Sequence, residues 1–314
     1  MITTIVAQMK REFWEQRVSF LWAPLIFILL VEALSILVMV HPHNIRVPEN
    51  MPLVLDTLTV ESYSSFDPAT GKTRLDFNTP DALALIAGVH QAVAWGIFAL
   101  MFAVAIATYV HSTLFADRKS REILFWRSMP VSETLNVMAK LLMVCLVVPL
   151  LILLCNLLSF ALFMITALFM GQDFSQWWPA LKMGLLSFKI AGSSFVVMLL
   201  ILPFICWGLF ASAFAKRSPV TISIAIPAGL WLADVFLQKY AEISLGVKAL
   251  LGGYWQFASA AFGKLWGAGG SEDFRILDIN LAAGVDPKIS SIAIIISVLL
   301  IAATIWLRNN RYEI

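Results

Sequence analysis

Six apolar runs, each long enough to cross a bilayer, constrain this chain more than any other feature. They are Phe20 to Val40, Leu83 to Val110, Leu135 to Met170, Met183 to Ala213, Val220 to Leu237 and Ser290 to Leu307. A spanning helix needs about 20 such residues. Inside lipid every peptide group must find its partner within the protein, which leaves helices or closed barrels. The runs are far too long for barrel strands. Composition agrees: 60% of the 314 residues are hydrophobic and only 13% charged, too few charges to cover a soluble domain of this size. The expected fold class is an all-α integral membrane protein with six transmembrane helices in a single domain, residues 1–314. Pro149, Pro203 and Pro227 fall inside spans three, four and five, and each is expected to kink its helix.

Six spans return the chain to the side from which it started. Lys10, Arg11 and Arg17 precede the first span; Arg118, Lys119, Arg121 and Arg127 lie between spans two and three, with Lys140 just inside span three. Lys216 and Arg217 follow span four, and Arg308 and Arg311 end the chain. These segments are richer in Lys and Arg than the opposite loops, so both termini are expected in the cytoplasm. The net charge of +2 gives no basic domain of the kind that nucleic acid requires. Cys145, Cys155 and Cys206 all lie within apolar runs and read as packed, reduced thiols. No secretory signal is evident, because the first apolar stretch is too long for a signal's apolar region and lacks a cleavage site.

Residues 1–19 read as an amphipathic helix on the inner membrane surface. Ile2, Ile5, Val6, Met9 and Phe13 fall on one arc, with Gln8, Lys10, Arg11, Glu15 and Arg17 around the rest. A plain basic flank is the competing reading. Of the two long outer loops, 41–82 suggests a hairpin: Leu58 and Val60 alternate with Thr57, Thr59 and Glu61, a turn follows at 67–72, and Thr73 to Phe77 returns. The second, 238–288, is apolar but broken at Gly252-Gly253 and at Gly267 to Gly270. Its helical pieces are too short to cross, so re-entrant helices before the last span are expected.

The cytoplasmic segment 114–133 is the most specific stretch. Asp117 opens a helix-permissive run, Pro130 ends it, and Ser132 can cap span three with Glu133 in its first turn. Ile123, Leu124, Phe125 and Trp126 are four consecutive apolar residues outside any span, more than one helix face can bury. They suit either a docking element for a soluble partner or a helix resting on lipid.

The stretch FADRKSREILFWRSMPVSETLNVMAK resembles the segment after the second span in permeases of the type-2 ATP-binding-cassette exporter family. The matching residues are Asp117, Arg118, Glu122, Leu124, Ser128, Pro130, Val131, Ser132 and Lys140. The layout is similar as well, with an amphipathic N-terminal helix, six spans, and a Gly-broken outer loop before the last. The resemblance implies a bacterial inner-membrane permease subunit whose coupling helix meets separate nucleotide-binding ATPase subunits through Asp117, Arg118, Glu122, Leu124, Phe125, Ser128 and Pro130. ATP and Mg would then be held by those partners, and the path would be completed by a second copy of this chain or a related permease, in membrane lipid. The long loop 41–82 departs from the family's shortest members.

Charges inside spans are weighed separately. Glu32 lies near the middle of span one, where a carboxylate must be paired, wet or protonated; it is the candidate pathway residue, with a structural helix tie as the plainer reading. Lys189 and Asp234 lie near enough to the interfaces to reach them and are expected to be structural, and His90 and His111 to be structural or interfacial. Trp177 and Trp178 are expected to anchor at an interface. No paired intramembrane charges are legible. The chain has no zincin, nucleophile-elbow, Walker or Cys-x-x-Cys motif, so neither catalysis nor a metal site is expected of it. The functional expectation is an exporter permease for a hydrophobic or amphipathic substrate; the alternative is a proton-coupled secondary carrier using Glu32.

Overall fold

In the computed structural model the described residues are 2–40, 82–120, 132–170, 177–244, 246–247, 252–256, 258–260 and 287–310, with five short strand segments. Among them, nine helices carry the architecture: α1 (Ile2–Glu15), α2 (Ala23–Val40), α3 (Ala82–Lys119), α4 (Glu133–Leu142), α5 (Val148–Phe169), α6 (Trp177–Gly184), α7 (Leu186–Phe214), α8 (Pro219–Ala241) and α9 (Pro287–Asn310). Six of the helical stretches are long and apolar enough to cross a membrane, matching the six runs in the sequence. Several extend past those runs. Span two belongs to a continuous helix of 38 residues, about 57 Å long at 1.5 Å per residue.

Proline is handled in two ways. A π-turn at Met143–Val147 joins α4 to α5 and ends two residues before Pro149; another at Val18–Trp22 joins α1 to α2 and ends two residues before Pro24. A proline ring clashes with the carbonyl four residues back. A widened turn changes which carbonyl occupies that place, so the helix continues without breaking. Pro203 and Pro227 instead lie within α7 and α8.

α7 is the central helix. Half of its apolar window is buried, against 6% for α8. α9 and α3 pack along it, with α5 on a third side. At Gly208 an added Cβ atom would meet Val110 Cγ2 at 2.7 Å, so glycine is what lets α3 and α7 approach so closely. The main core joins residues of α2, α3, α5, α7 and α9, among them Ile28, Phe98, Phe102, Val148, Ile205, Leu209 and Leu307. α8 leaves Ile224, Leu230, Trp231, Leu232 and Phe236 exposed, the surface expected of a helix that meets lipid.

Several boundaries differ from the sequence reading. Residues 114–119 belong to the end of α3, because no glycine or proline interrupts the chain between Gly96 and Lys119 and span two runs on past the apolar run. α8 continues to Ala241 and closes on Glu242, whose φ of 54° makes a left-handed cap. A hairpin does form across the expected turn, between β3 (Ser64–Asp67) and β4 (Lys72–Leu75). Its first arm is not the Leu58 stretch: β2 (Leu58–Thr59) pairs with β1 (Val54–Leu55) instead. β1 also pairs in parallel with β5 (Arg275–Ile276), so the two long loops meet. Gly252 and Gly253, read as a break, lie inside a helical turn over 252–256.

Candidate functional site

Two buried polar clusters lie at different depths of the bundle. The first joins the end that carries both chain termini. Lys140 on α4 donates to Glu12 Oε1 at 2.6 Å and to Thr113 Oγ1 at 2.7 Å. Tyr109 donates its hydroxyl to Glu12 Oε2 at 2.8 Å. Asp117 Oδ2 lies 3.5 Å from Lys140 Nζ and 3.7 Å from Arg308 Nη1, and Arg308 Nε donates to Glu133 Oε2 at 2.7 Å. Glu12, Asp117, Lys140 and Arg308 are all buried. One ionic cluster therefore ties α1, α3, α4 and α9 together.

Local sequence explains the placement. Glu12 lies seven residues after Ile5, about 20° away on a wheel of 3.6 residues per turn, at the edge of the apolar arc. Packing α1 against α4 turns that edge inward, leaving Val6 and Trp14 more than half exposed. Ser132 caps α4 by accepting from Leu135 N–H at 3.3 Å, which sets the helix phase that brings Lys140 into the bundle. At the rim, Arg11 pairs with Glu15. Burial, followed by the Glu12 charge, raises the Glu15 carboxyl above its usual range against the pull of Arg11.

Of the seven residues read as coupling residues, Asp117 and Arg118 are described, and both are engaged within the chain. Arg118 Nη2 donates to the carbonyls of Ser212 at 2.8 Å and Ala215 at 2.6 Å. It thus caps the C-terminal end of α7, where a cation complements the helix dipole. Phe115 N–H donates to Ser212 Oγ at 2.9 Å beside it. Glu122, Leu124, Phe125, Ser128 and Pro130 lie outside the described residues. What the structure places is the root of segment 121–131: Asp117 and Arg118 on one flank, Glu133 and Lys140 on the other.

The second cluster lies deeper in the spans. Ser159 on α5 donates to Glu32 Oε1 at 2.9 Å. His90 Nε2 is 3.1 Å from Ser159 Oγ and 3.5 Å from Glu32 Oε1. His90 Nδ1 is 2.7 Å from Ser35 Oγ, and the ring stacks on Phe163 at 4.6 Å between centroids. Glu32 is thus hydrogen-bonded inside the protein, with the His90 ring beside it. Spacing along the chain carried no signal because the partner is 58 positions away on another helix. Buried Gln91 and Asn156 lie on the same helices, α3 and α5. Gln91 Nε2, Asn156 Oδ1 and Glu32 Oε2 are buried atoms without a hydrogen-bond partner among the described residues.

Other expectations resolve residue by residue. Lys189 is exposed, whereas Asp234 is fully buried. His111 bonds Ser223 Oγ at 2.9 Å, joining α3 to α8. The three cysteines are free thiols. Tyr254, in the segment after α8, donates to Leu200 O at 2.5 Å and packs its ring 5.8 Å from Phe204. Leu200 is the middle residue of α7, three before Pro203. Glu12, Tyr109 and Tyr254 were not singled out by sequence reasoning; Glu12's place at the edge of the apolar arc was the one available signal.

These features define a helical protein with six helices suited to spanning a membrane and two buried polar clusters between them. No protein-family model, curated protein or solved structure matches the chain.

Proposed function

We propose that this chain is the membrane-spanning permease subunit of an ATP-driven exporter of the type-2 ATP-binding-cassette kind. The observation that carries the reading is the ionic cluster at the root of segment 121–131. A force applied to that segment by a soluble ATPase would reach Asp117 and Glu133 at its two flanks. From there Lys140, Glu12 and Arg308 would pass it to α1, α4 and α9, while Arg118 would pass it to the end of α7. A lever on a rigid base is what ATP-driven switching needs, since the partner can shift the equilibrium only through contacts that differ between states. The exposed face of α8 suits lipid or a second permease copy. ATP and Mg belong to the ATPase subunits, and the apolar spans suit a hydrophobic or amphipathic substrate. Both termini are cytoplasmic in this reading, and the segment holding Tyr254 is a re-entrant piece that closes the exit.

The test replaces Leu124 and Phe125 together with Asp. Co-purification of the ATPase should be abolished while membrane insertion persists; retention at wild-type stoichiometry overturns the assignment. The second reading, a proton-coupled carrier, draws on the Glu32–His90 contact. Transport that persists without ATP and collapses with the proton gradient would decide for it.

A further inference from the structure

We propose that Glu32, His90 and Ser159 form a buried site that binds a single proton. This inference stands apart from the exporter reading, and rests on counting hydrogens over four short contacts. Ser35 has one hydroxyl proton and two neighbours, Val31 O at 3.0 Å and His90 Nδ1 at 2.7 Å. Val31 O can only accept. Both bonds therefore close only if His90 Nδ1 carries a hydrogen and donates to Ser35 Oγ. Ser159 likewise has one proton and two neighbours, Glu32 Oε1 at 2.9 Å and His90 Nε2 at 3.1 Å.

Two arrangements satisfy all four contacts. In one, His90 is doubly protonated and donates through Nε2 to Ser159, which donates to an ionised Glu32. In the other, a protonated Glu32 donates from Oε1 to Ser159, which donates to Nε2 of a neutral His90. They contain the same number of protons. They interconvert when the Nε2 proton passes to Ser159 Oγ as the Ser159 proton passes to Glu32 Oε1, leaving the serine hydroxyl intact. Removing one proton from the set breaks at least one of the four bonds and leaves an ionised Glu32 beside a neutral ring, with no cation to balance it and Oε2 without a partner among the described residues. Burial makes that costly. The site is therefore built for one proton and against none.

Among the described residues, no other charged side chain contacts the pair. Glu32 comes from α2, His90 from α3 and Ser159 from α5; Cys155, a buried free thiol, is one turn before Ser159. Lys182 on α6 and Lys189 on α7, the helices that flank α3 here, are exposed. The ionic cluster is remote: Asp117 is 27 residues along α3 from His90, about 40 Å of helix.

The experiment uses the purified full-length chain in lipid nanodiscs, with carbon-13-edited infrared spectra for carboxyls and nitrogen-15 NMR of the histidine rings. His90→Gln and Glu32→Gln assign the signals. Near neutral pH the wild type should show either a doubly protonated His90 or a carboxylic-acid band that Glu32→Gln removes. Raising the pH should discharge the pair in one step. A neutral His90 ring together with an ionised Glu32 at neutral pH overturns the proposal. Should either variant fail to fold, Ser159→Ala retains both titrating groups. It should uncouple them, so that the carboxyl band and the ring-nitrogen signals change at different pH midpoints; a shared midpoint in Ser159→Ala overturns the relay.

Discussion

Lys140 Nζ lies 2.6 Å from Glu12 Oε1, and both side chains are almost wholly removed from solvent. The two residues are 128 positions apart in the chain, and their contact fixes the N-terminal helix to the start of span three.

Removing one partner of this buried pair should be costly. Lys140→Met would leave the Glu12 carboxylate with Tyr109 and Thr113 as its donors among the described residues, and should destabilise by about 3–5 kcal/mol. Adding Glu12→Gln should recover part of that loss. A double-mutant cycle from thermal unfolding in detergent measures it; additive single effects would mean the pair carries no coupling.

Gly208→Ala tests the close approach of α3 and α7. The added methyl group would meet Val110 Cγ2, which is held on a β-branched side chain and has little freedom to move. A loss of about 1–3 kcal/mol is expected. Val110→Ala in the same chain should restore part of it. Gly96, whose added Cβ would meet nothing within 4 Å, is the control and should tolerate alanine.

Arg118 caps α7 through two carbonyls. Arg118→Met should leave them without that donor and cost on the order of 1–3 kcal/mol, with faster hydrogen exchange in the last turn of α7. Arg118→Lys should recover only part, since an ammonium lacks the planar fork. Unchanged exchange at residues 211–215 would remove the capping role.

Tyr254→Phe removes the hydroxyl that reaches Leu200 O but keeps the ring against Phe204. A small loss of about 1 kcal/mol is expected. In a background without the native cysteines, Ala258→Cys should label faster with a water-soluble thiol reagent once Tyr254 is Phe. Equal labelling would show that the tyrosine does not hold the segment down.

The legible part of the fold was its set of spans. Continuous apolar length is a local property, so Phe20 to Val40 or Ser290 to Leu307 declares itself without reference to a neighbour. Pro149 announced an irregularity, but not that a π-turn at Met143–Val147 would absorb it, because that choice depends on which helices receive the displaced carbonyls. Gly252 and Gly253 looked like a break and proved helical; glycine lowers helix propensity by only about 1 kcal/mol per residue, and Tyr254 ties the same turn to Leu200 of α7.

The candidate site was half legible. Glu32 stood out because one carboxylate in an apolar run is conspicuous anywhere. His90 was read as structural but not as a neighbour of Glu32, because nothing beside it in sequence marks the contact. Asp117 was singled out for an outward role, whereas the structure turns it onto Lys140 and Arg308.

The sequence by itself determined the class of the protein, the number of helices able to cross a membrane and the segments where polarity interrupts them. These follow from a length matched to hydrocarbon thickness and from the need to satisfy every peptide group in lipid. Tertiary structure alone decided which charges are paired and which face inward. Glu12 reaches Lys140 because α1 packs against α4, and Glu32 reaches His90 because α2 packs against α3 and α5. A buried charge is stabilised only by groups within a few ångströms, and nearness in three dimensions leaves no trace in the spacing of residues 12 and 140.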